Sequence, residues 1–280
     1  MNATTTIKPM PPARTMQPET RAFVYGMIGV PLLLVAALVG CYGRASGDAF
    51  ALLAARSAML LTGAPGSGLV GGFVANILMS LAAMCVSLCT GVLLCMGTIA
   101  NARFVRFVAL GIVNLLRNTP WLIALYAMLY LLPFYVPAFG TVIPFSPFAK
   151  AVIGLSLPVT ANVAEVMRGG IEAIPSGQWE SARALGYRKL QILRYIIVPQ
   201  AIPLFMPNMM TVYAGLFIGT SLAVVTGTSD VLSVANTITA SDGSHYATAV
   251  QLYVLLLFFL FSFPIATLSR RLERQMREKS

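Results

Sequence analysis

The sequence predicts an all-α polytopic membrane protein with about six transmembrane helices and one further short helix in a loop. Hydrophobic residues make up 58% of the 280-residue chain, charged residues make up 10%, and the mean hydropathy is +0.80. The apolar residues occur in runs, and a helix needs about 20 such residues to cross a bilayer. Composition and run length together exclude an ordinary soluble domain.

Six windows meet this length, and the boundaries carry an uncertainty of about two to four residues. The predicted spans cover about residues 22–42, 69–96, 107–135, 148–167, 200–225 and 247–268.

Prolines indicate two irregular spans. The segment 104–135 would be about 48 Å long as one helix, more than the bilayer core requires. Pro120 removes a backbone hydrogen bond and clashes with the preceding turn, so we expect an interfacial helix leading into a kinked span. Pro199, Pro203 and Pro207 predict a bent or loosely bonded start for the fifth span.

The basic residues predict the orientation. With the amino terminus in the cytoplasm, fifteen of the 19 Lys and Arg residues lie inside, Arg44, Arg56 and Lys150 lie outside, and Arg117 lies within the membrane. This asymmetry follows the positive-inside rule. Both termini are therefore expected in the cytoplasm, with outside loops at 43–68, 136–147 and 226–246, and membrane topology explains the net charge better than nucleic-acid binding.

The four cysteines predict no metal site. Cys85 and Cys89 share a helix face, but no His or carboxylate accompanies them, so we expect buried small apolar residues. Leu38-Val39-Gly40-Cys41 looks like a lipoprotein cleavage box. The preceding apolar run of about 20 residues exceeds the 7 to 15 of a signal core, which favours a true span and an unmodified Cys41.

The most informative segment is a polar, basic loop between two apolar runs. It reads Trp-Glu-Ser-Ala-Arg-Ala-Leu-Gly over 179–186, and Ile-Ile-Val-Pro follows nine residues later. Pro175 and Ser176 predict a helix start with Ser176 as the cap, Glu180 suits its first turns, and Gly186 is placed to end it. The loop is therefore predicted to contain a short rigid helix.

This spacing resembles the EAA signature of the permease subunits of bacterial ABC importers, polar amino acid branch. Upstream, Glu165, Arg168-Gly169-Gly170-Ile171, Ile174 and Gly177-Gln178 extend the resemblance. It covers about 71–271, which gives a tail (1–21), an additional helix and external loop (22–68), the transmembrane domain (69–271) and a basic tail (272–280).

The resemblance implies that the short helix of this loop is a cytoplasmic coupling helix that docks on a separate ATP-hydrolysing subunit. Small Ala182 and Ala184 would let that partner approach closely. The predicted coupling residues are Glu180, Ser181, Ala182, Arg183 and Gly186. The resemblance also implies a second permease chain, identical or related, and a periplasmic substrate-binding protein.

No catalytic set is predicted. The chain lacks a Gly-x-x-x-x-Gly-Lys-Ser/Thr phosphate loop, and no cofactor or metal is expected in it. Ionisable groups inside a membrane are candidates for function, so Arg117 and Glu165 are expected to contact substrate. Thr220 and Ser221 belong to an element that resembles the family's Lys-Asp-Thr-Ser-Leu, and they join the predicted path. Alternatives are snorkelling of Arg117 and pairing of Glu165 with Arg168.

The predicted function is that of a multi-pass permease subunit in a bacterial inner membrane, importing polar amino acids or close derivatives by alternating access. Two alternatives remain open on the sequence, an ion-coupled secondary transporter and a structural subunit of a membrane complex. Six spans without an evident internal repeat weigh against the first of these.

Overall fold

The computed structural model describes residues 18–64, 71–138 and 141–277. Most of the predicted amino-terminal tail, and residues 65–70 of the first predicted outer loop, lie outside this range. The first half of the fold contains the helices α1 (Pro18–Tyr42), α2 (Ser46–Thr62), α3 (Gly72–Thr98), α4 (Arg103–Arg117) and α5 (Trp121–Leu131) and the strands β1 (Tyr135–Ala138) and β2 (Thr141–Pro144).

The named elements of the second half are all helices. This half contains α6 (Pro147–Glu172), α7 (Ser176–Ala184), α8 (Lys189–Ile192), α9 (Val198–Gly219), α10 (Val231–Asp242) and α11 (Ala247–Arg277). Within the described chain, five helical stretches are long and apolar enough to cross a membrane, and the bent pair α4–α5 brings the number to six. The prediction of about six spans is confirmed.

The break at Pro120 lies where the sequence predicts it. The axes of α4 and α5 differ by 103° across three non-helical residues. Thr119 Oγ1 donates to the Leu115 carbonyl at 2.8 Å, which satisfies an acceptor that the end of α4 leaves open. Helix α5 has eleven residues and is about 16 Å long, which is too short to cross the bilayer core of about 30 Å by itself.

Helix α6 lies at the centre and is the most buried of the spanning stretches. It packs on α3 where Gly91 leaves room for the side chain of Val163, since a Cβ at Gly91 would lie 2.5 Å from that side chain. Hydroxyl contacts support this approach, with the Thr90 and Thr160 oxygens 2.7 Å apart. Small residues and side-chain hydrogen bonds are the usual means by which helices associate in a membrane.

Three features of the fold were not predicted. The segment 136–147 contains the antiparallel hairpin β1–β2, with Tyr135 opposite Pro144. The predicted outer loop 226–246 contains helix α10. A π-helical turn, Leu193–Ile197, precedes α9, so the irregularity expected near Pro199 lies in the turn before it.

The cysteine prediction is wrong for three of the four residues. Cys95 is buried, whereas Cys41, Cys85 and Cys89 are exposed on the outside of the bundle. Thiols on an apolar helix face are compatible with lipid as well as with a protein core, because both surroundings are apolar. Among the described residues, no group of three or more His, Cys, Asp or Glu is arranged to hold a metal ion.

Helices α1 and α2 pack on the rest of the bundle near the turn between α10 and α11. Tyr42 donates through its hydroxyl to the His245 carbonyl at 2.6 Å, and its ring stacks on Tyr246 at 6.4 Å. Arg56 makes two hydrogen bonds to the Asp242 carboxylate, at 2.7 and 2.8 Å. The additional amino-terminal segment is thus joined to the last two helices by specific polar contacts.

A buried polar cluster connects α3, α9 and α10. Asn76 donates to the Thr220 hydroxyl at 3.1 Å and accepts from the Val231 backbone N–H at 3.0 Å. Asp230 caps α10 by accepting from the Ser233 backbone N–H at 3.1 Å and from its hydroxyl at 2.6 Å. The Asp230 side chain is fully buried, one of its carboxylate oxygens has no hydrogen-bond partner, and burial raises the pKa of this carboxyl.

Asp230 provides a test of this cluster. Asp230→Ala removes the cap and is expected to lower the free energy of unfolding by about 1 kcal/mol. Asp230→Asn keeps the capping oxygen and removes a buried charge, so its melting temperature at pH 7 should equal or exceed that of the parent. Because the folded-state pKa is raised, the carboxyl disfavours folding as pH rises from the ordinary carboxyl range through the raised pKa. Thermal unfolding in detergent at pH 5 and pH 7 measures both effects, and equal losses for the two variants would contradict the capping role.

Candidate functional site

The short helix α7 begins and ends through backbone features. Pro175 precedes it in an extended conformation, and no side chain caps its first turn, so the prediction that Ser176 is the cap is wrong. At the other end Gly186 has φ +83°. Its N–H donates to the Arg183 carbonyl at 2.9 Å and the Tyr187 N–H donates to the Ala182 carbonyl at 3.2 Å, the two bonds of a Schellman motif. The predicted ending at Gly186 is therefore observed.

Contacts with the bundle hold α7 and α8 in place. Ala182 is 2% exposed and belongs to the main apolar core, against which the half-buried Trp179 also packs. Lys189 donates through its ammonium to the Ile99 carbonyl at 2.9 Å and also to the side chain of Asn101, beyond the end of α3. We expected Ala182 to lie at a partner's surface, but its methyl group faces inward. Ala184 is exposed and is therefore still available to contact a partner.

A cavity of about 380 Å³ lies between α7 and the ends of α3 and α6. Glu180 and Arg183 line it from α7, Glu172 from α6, and Lys189 from α8. The floor is apolar and includes Trp179. Of the other predicted coupling residues, Ser181 and Gly186 are exposed on the loop, which also presents the apolar side chains Leu185, Tyr187 and Leu190 to the outside.

A row of ion pairs runs from the break between α4 and α5 to this cavity. Arg117 Nη1 lies 3.4 Å from Glu165 Oε1. The same oxygen lies 2.6 Å from Arg168 Nη2, and Arg168 Nη1 bonds both oxygens of Glu172 at 2.8 Å. We call these four residues the charge row. Its last member, Glu172, is also a wall of the cavity under α7.

The structure brings two of the predicted path residues together. Arg117 and Glu165 bond to each other, and Glu165 also pairs with Arg168, as the alternative interpretation had it. Their side chains retain 48% and 31% exposure, so both remain accessible from the space beside the α4–α5 break.

Thr220 lies elsewhere. It is fully buried, donates to the Phe217 carbonyl at 2.6 Å and accepts from Asn76, while Ser221 is half-buried. Gly219 stands where the family's Lys-Asp-Thr-Ser-Leu element has Asp, and this difference has a steric reason, because the indole of Trp121 packs against the glycine and a Cβ would collide with it. Trp121 could not be identified from the sequence, because its contact is with Gly219, a residue about a hundred positions away.

Comparison with known proteins assigns the family. Residues 87–278 match the family described as "Binding-protein-dependent transport system inner membrane component". The glutamate/glutamine/aspartate/asparagine transport system permease protein BztC of Rhodobacter capsulatus is 34% identical over 89% of this chain and 58% of its own length. The inner membrane amino-acid ABC transporter permease protein YhdY of Escherichia coli is 32% identical over 73% of this chain and 55% of its own length. The chain thus spans little more than half of either relative.

A shorter relative and two solved structures agree with this family match. The L-cystine transport system permease protein TcyB of Bacillus subtilis is 29% identical over 74% of this chain and 87% of its own length. A crystal structure of an amino acid ABC transporter with histidines superimposes with a TM-score of 0.62, at 24% identity, over 73% of this chain and 92% of that one.

An inward-facing structure of the MetNI methionine ABC transporter gives a TM-score of 0.51 at 21% identity, over 70% of this chain and 90% of that one. At these identities the two structures show a shared fold. The family match covers more than half of the chain and includes α7 and the charge row. The chain therefore belongs to the family of inner membrane components of binding-protein-dependent transport systems.

Proposed function

We propose that this chain is the membrane-spanning permease subunit of an ATP-driven importer of polar amino acids or close derivatives. The observation that carries the proposal is the EAA-like loop, which is folded as a capped nine-residue helix held against the ends of α3 and α6. A helix fixed to the bundle in this way transmits an applied force to the bundle. A loosely attached loop would move without displacing the bundle. The chain's own role is transport, and ATP hydrolysis belongs to a separate subunit.

The exposed face of the loop suits a protein partner. Leu185 is 76% and Leu190 is 66% exposed, next to the charged side chains of Glu180 and Arg183. An apolar centre with a polar rim is the usual anatomy of a docking surface. We assign this surface to the ATP-binding subunit, which places α7 and both termini in the cytoplasm and the hairpin β1–β2 and α10 on the outside.

A second permease chain completes the proposed assembly. One chain supplies six spans and one coupling loop, too little to enclose a substrate path on all sides. Helix α4 supports this, because Phe104, Phe107 and Leu115 are between 70% and 78% exposed on the outside of the single chain. A periplasmic binding protein would deliver substrate to the outside loops.

The amino acid class comes from the relatives, whose names describe carriers of glutamate, glutamine, aspartate, asparagine and L-cystine. In the proposed path Arg117 receives the substrate carboxylate and Glu165 the amino group. The two side chains satisfy each other at 3.4 Å in the structure, and substrate would separate them. Leaving the charge of Arg117 or of Glu165 buried without a partner costs free energy. Each side chain is therefore expected to exchange its partner for a charged group of the substrate rather than to remain unpaired.

The assembly is tested by copurification. The chain, expressed with a cognate ATP-binding subunit and reconstituted in proteoliposomes, should show ATPase activity that rises when an amino-acid-loaded binding protein is added. A secondary transporter would take up substrate without ATP, and a structural subunit would take up none.

Coupling through α7 predicts the effect of Gly186→Ala. At φ +83° a Cβ costs about 1 kcal/mol or more, so the loop should lose its Schellman ending and the association with the ATP-binding subunit should weaken about fivefold. Insertion should be unchanged, since the spans are untouched. Copurification yield and ATP-dependent uptake measure the loss.

The matched control is Gly177→Ala in the first turn of the same helix. Neither glycine has a heavy atom within 4 Å of an added Cβ, but Gly177 has an ordinary helical backbone. Gly177→Ala should therefore keep association and uptake. A further variant, Glu180→Lys, reverses a charge on the exposed face and should weaken association without changing the melting temperature. Full coupling in both Gly186→Ala and Glu180→Lys would refute the assignment of α7.

The charge row predicts that Arg117→Lys impairs uptake. A guanidinium can hold a carboxylate through two parallel hydrogen bonds, which an ammonium cannot reproduce. ATPase association should persist, because α7 is anchored independently through Ala182 and Lys189. Uptake of radiolabelled glutamate and glutamine, measured beside copurification of the ATP-binding subunit, separates the two effects.

Arg106→Lys in the same helix is the control, because Arg106 is exposed and forms no ion pair with any residue that the structure describes. It should transport at the parental rate. Normal uptake by a well-inserted Arg117→Ala chain would remove Arg117 from the path and leave it as a structural partner of Glu165.

A further inference from the structure

A second cavity, separate from the charge row and from α7, lies between α1 and the end of α11. Its volume is about 340 Å³. One wall is apolar and formed by Phe23, Gly26 and Phe263. The rings of Phe23 and Phe263 stack at a centroid distance of 5.7 Å, and Gly26 leaves the space that the Phe263 ring occupies.

The rest of the lining, which follows Phe263 along α11, is strongly basic. Arg270, Arg271 and Arg274 line the cavity together with the Thr267 hydroxyl. Arg271 lies over the ring of Phe23 at 5.6 Å, which fixes its guanidinium beside the apolar wall. The cavity therefore joins an apolar half to a cationic half.

The cavity lies at the same end of the bundle as α7. Phe217 of α9 packs on Phe261 of α11 at 4.1 Å, while Ser269 donates to the Pro207 carbonyl at 2.6 Å. Helices α9 and α11 are thus antiparallel, and the carboxyl end of α11 returns toward the start of α9, which follows the loop. From Ala247 to Ser269 the helix carries no charged residue, so the arginines begin where the apolar stretch stops.

We propose that this cavity binds the phosphate headgroup of an anionic phospholipid, with the glycerol and upper acyl chain against Phe23 and Phe263. Three arginines placed where the apolar stretch of α11 ends, beside the rings of Phe23 and Phe263, match this chemistry better than they match a free anion. The inference goes beyond the transport function and depends only on the cytoplasmic placement of α7. It gives α1 a role, because the lipid would join α1 to α11.

The family match begins at residue 87, so the lining residues of α11 lie within the matched region and those of α1 lie before it. The site is therefore a property of the additional helix combined with the shared fold.

The test measures lipid binding by the full chain, in the complex in which it purifies, reconstituted in nanodiscs and released for native mass spectrometry. Phosphatidylglycerol and phosphatidylcholine of identical acyl chains are the two probes. The parent should retain phosphatidylglycerol in preference. Arg270→Gln combined with Arg274→Gln should weaken that retention about tenfold, while Arg271 stays to pack on Phe23.

The matched control is Arg103→Gln combined with Arg106→Gln, which removes the same charge from exposed positions at the same end of the bundle. It should retain phosphatidylglycerol like the parent. Equal losses in the two double variants would show a general basic surface and overturn the proposal, as would parental retention in the Arg270/Arg274 variant. Equal melting temperatures of the variants exclude misfolding as the cause.

A third arm adds millimolar inorganic phosphate. It should displace little phosphatidylglycerol, because the headgroup is held together with its acyl chains. Complete displacement, with no preference between the two lipids afterwards, would identify an anion site and overturn the lipid assignment.

Discussion

The close approach of α6 to α3 is the constraint on which the rest of the fold depends. Between apolar helices in lipid the hydrophobic effect gives little drive for association, so shape and hydrogen bonds must hold them together. Gly91 admits Val163, Ser87 donates to the Ser156 carbonyl at 3.1 Å, and Thr90 bonds Thr160. With α6 fixed, Gly154 receives Leu125 of α5, and Gly170 receives Phe205 of α9. The loop that follows α6 therefore starts from a rigid position.

Features that act through the local backbone could be predicted from the sequence. Pro120 breaks a helix because it lacks a backbone N–H and clashes with the preceding turn, and Gly186 ends one because it tolerates a positive φ; both positions are as expected. The number of spans follows from apolar length. Features that depend on distant partners could not be predicted. Helix α10 is polar and short, and its first turn depends on Asn76, a residue 155 positions away.

The same distinction applies to the candidate site. The sequence identified Glu165 and Arg117 as ionisable groups in apolar surroundings, but their mutual pairing is a property of the packed helices. Ala182 looked like a surface residue because its neighbours in sequence are charged, and only the packing of α7 shows that it faces inward. The exposed cysteines were misassigned because lipid and protein core select the same residue types. In a membrane, hydropathy alone does not distinguish the outside of a bundle from its inside.

The charge row connects the proposed substrate path at the α4–α5 break to the cavity under α7 through a series of ion pairs. Arg117 and Arg168 both pair with Oε1 of Glu165. The strength of each ion pair with Glu165 therefore depends on whether the other arginine is also bound. In the proposed mechanism a substrate carboxylate takes Arg117 away, and Glu165 then holds Arg168 alone. Arg168 also holds both oxygens of Glu172, at the wall of the cavity under α7. A partner exchange at the α4–α5 break would thus change the balance of charge beneath α7, the helix that we propose contacts the ATP-binding subunit, across two turns of α6. Because linkage between two binding events is reciprocal, the proposed mechanism requires that binding of that subunit to α7 alters the affinity of Arg117 for substrate by the same free energy by which substrate alters the binding of the subunit.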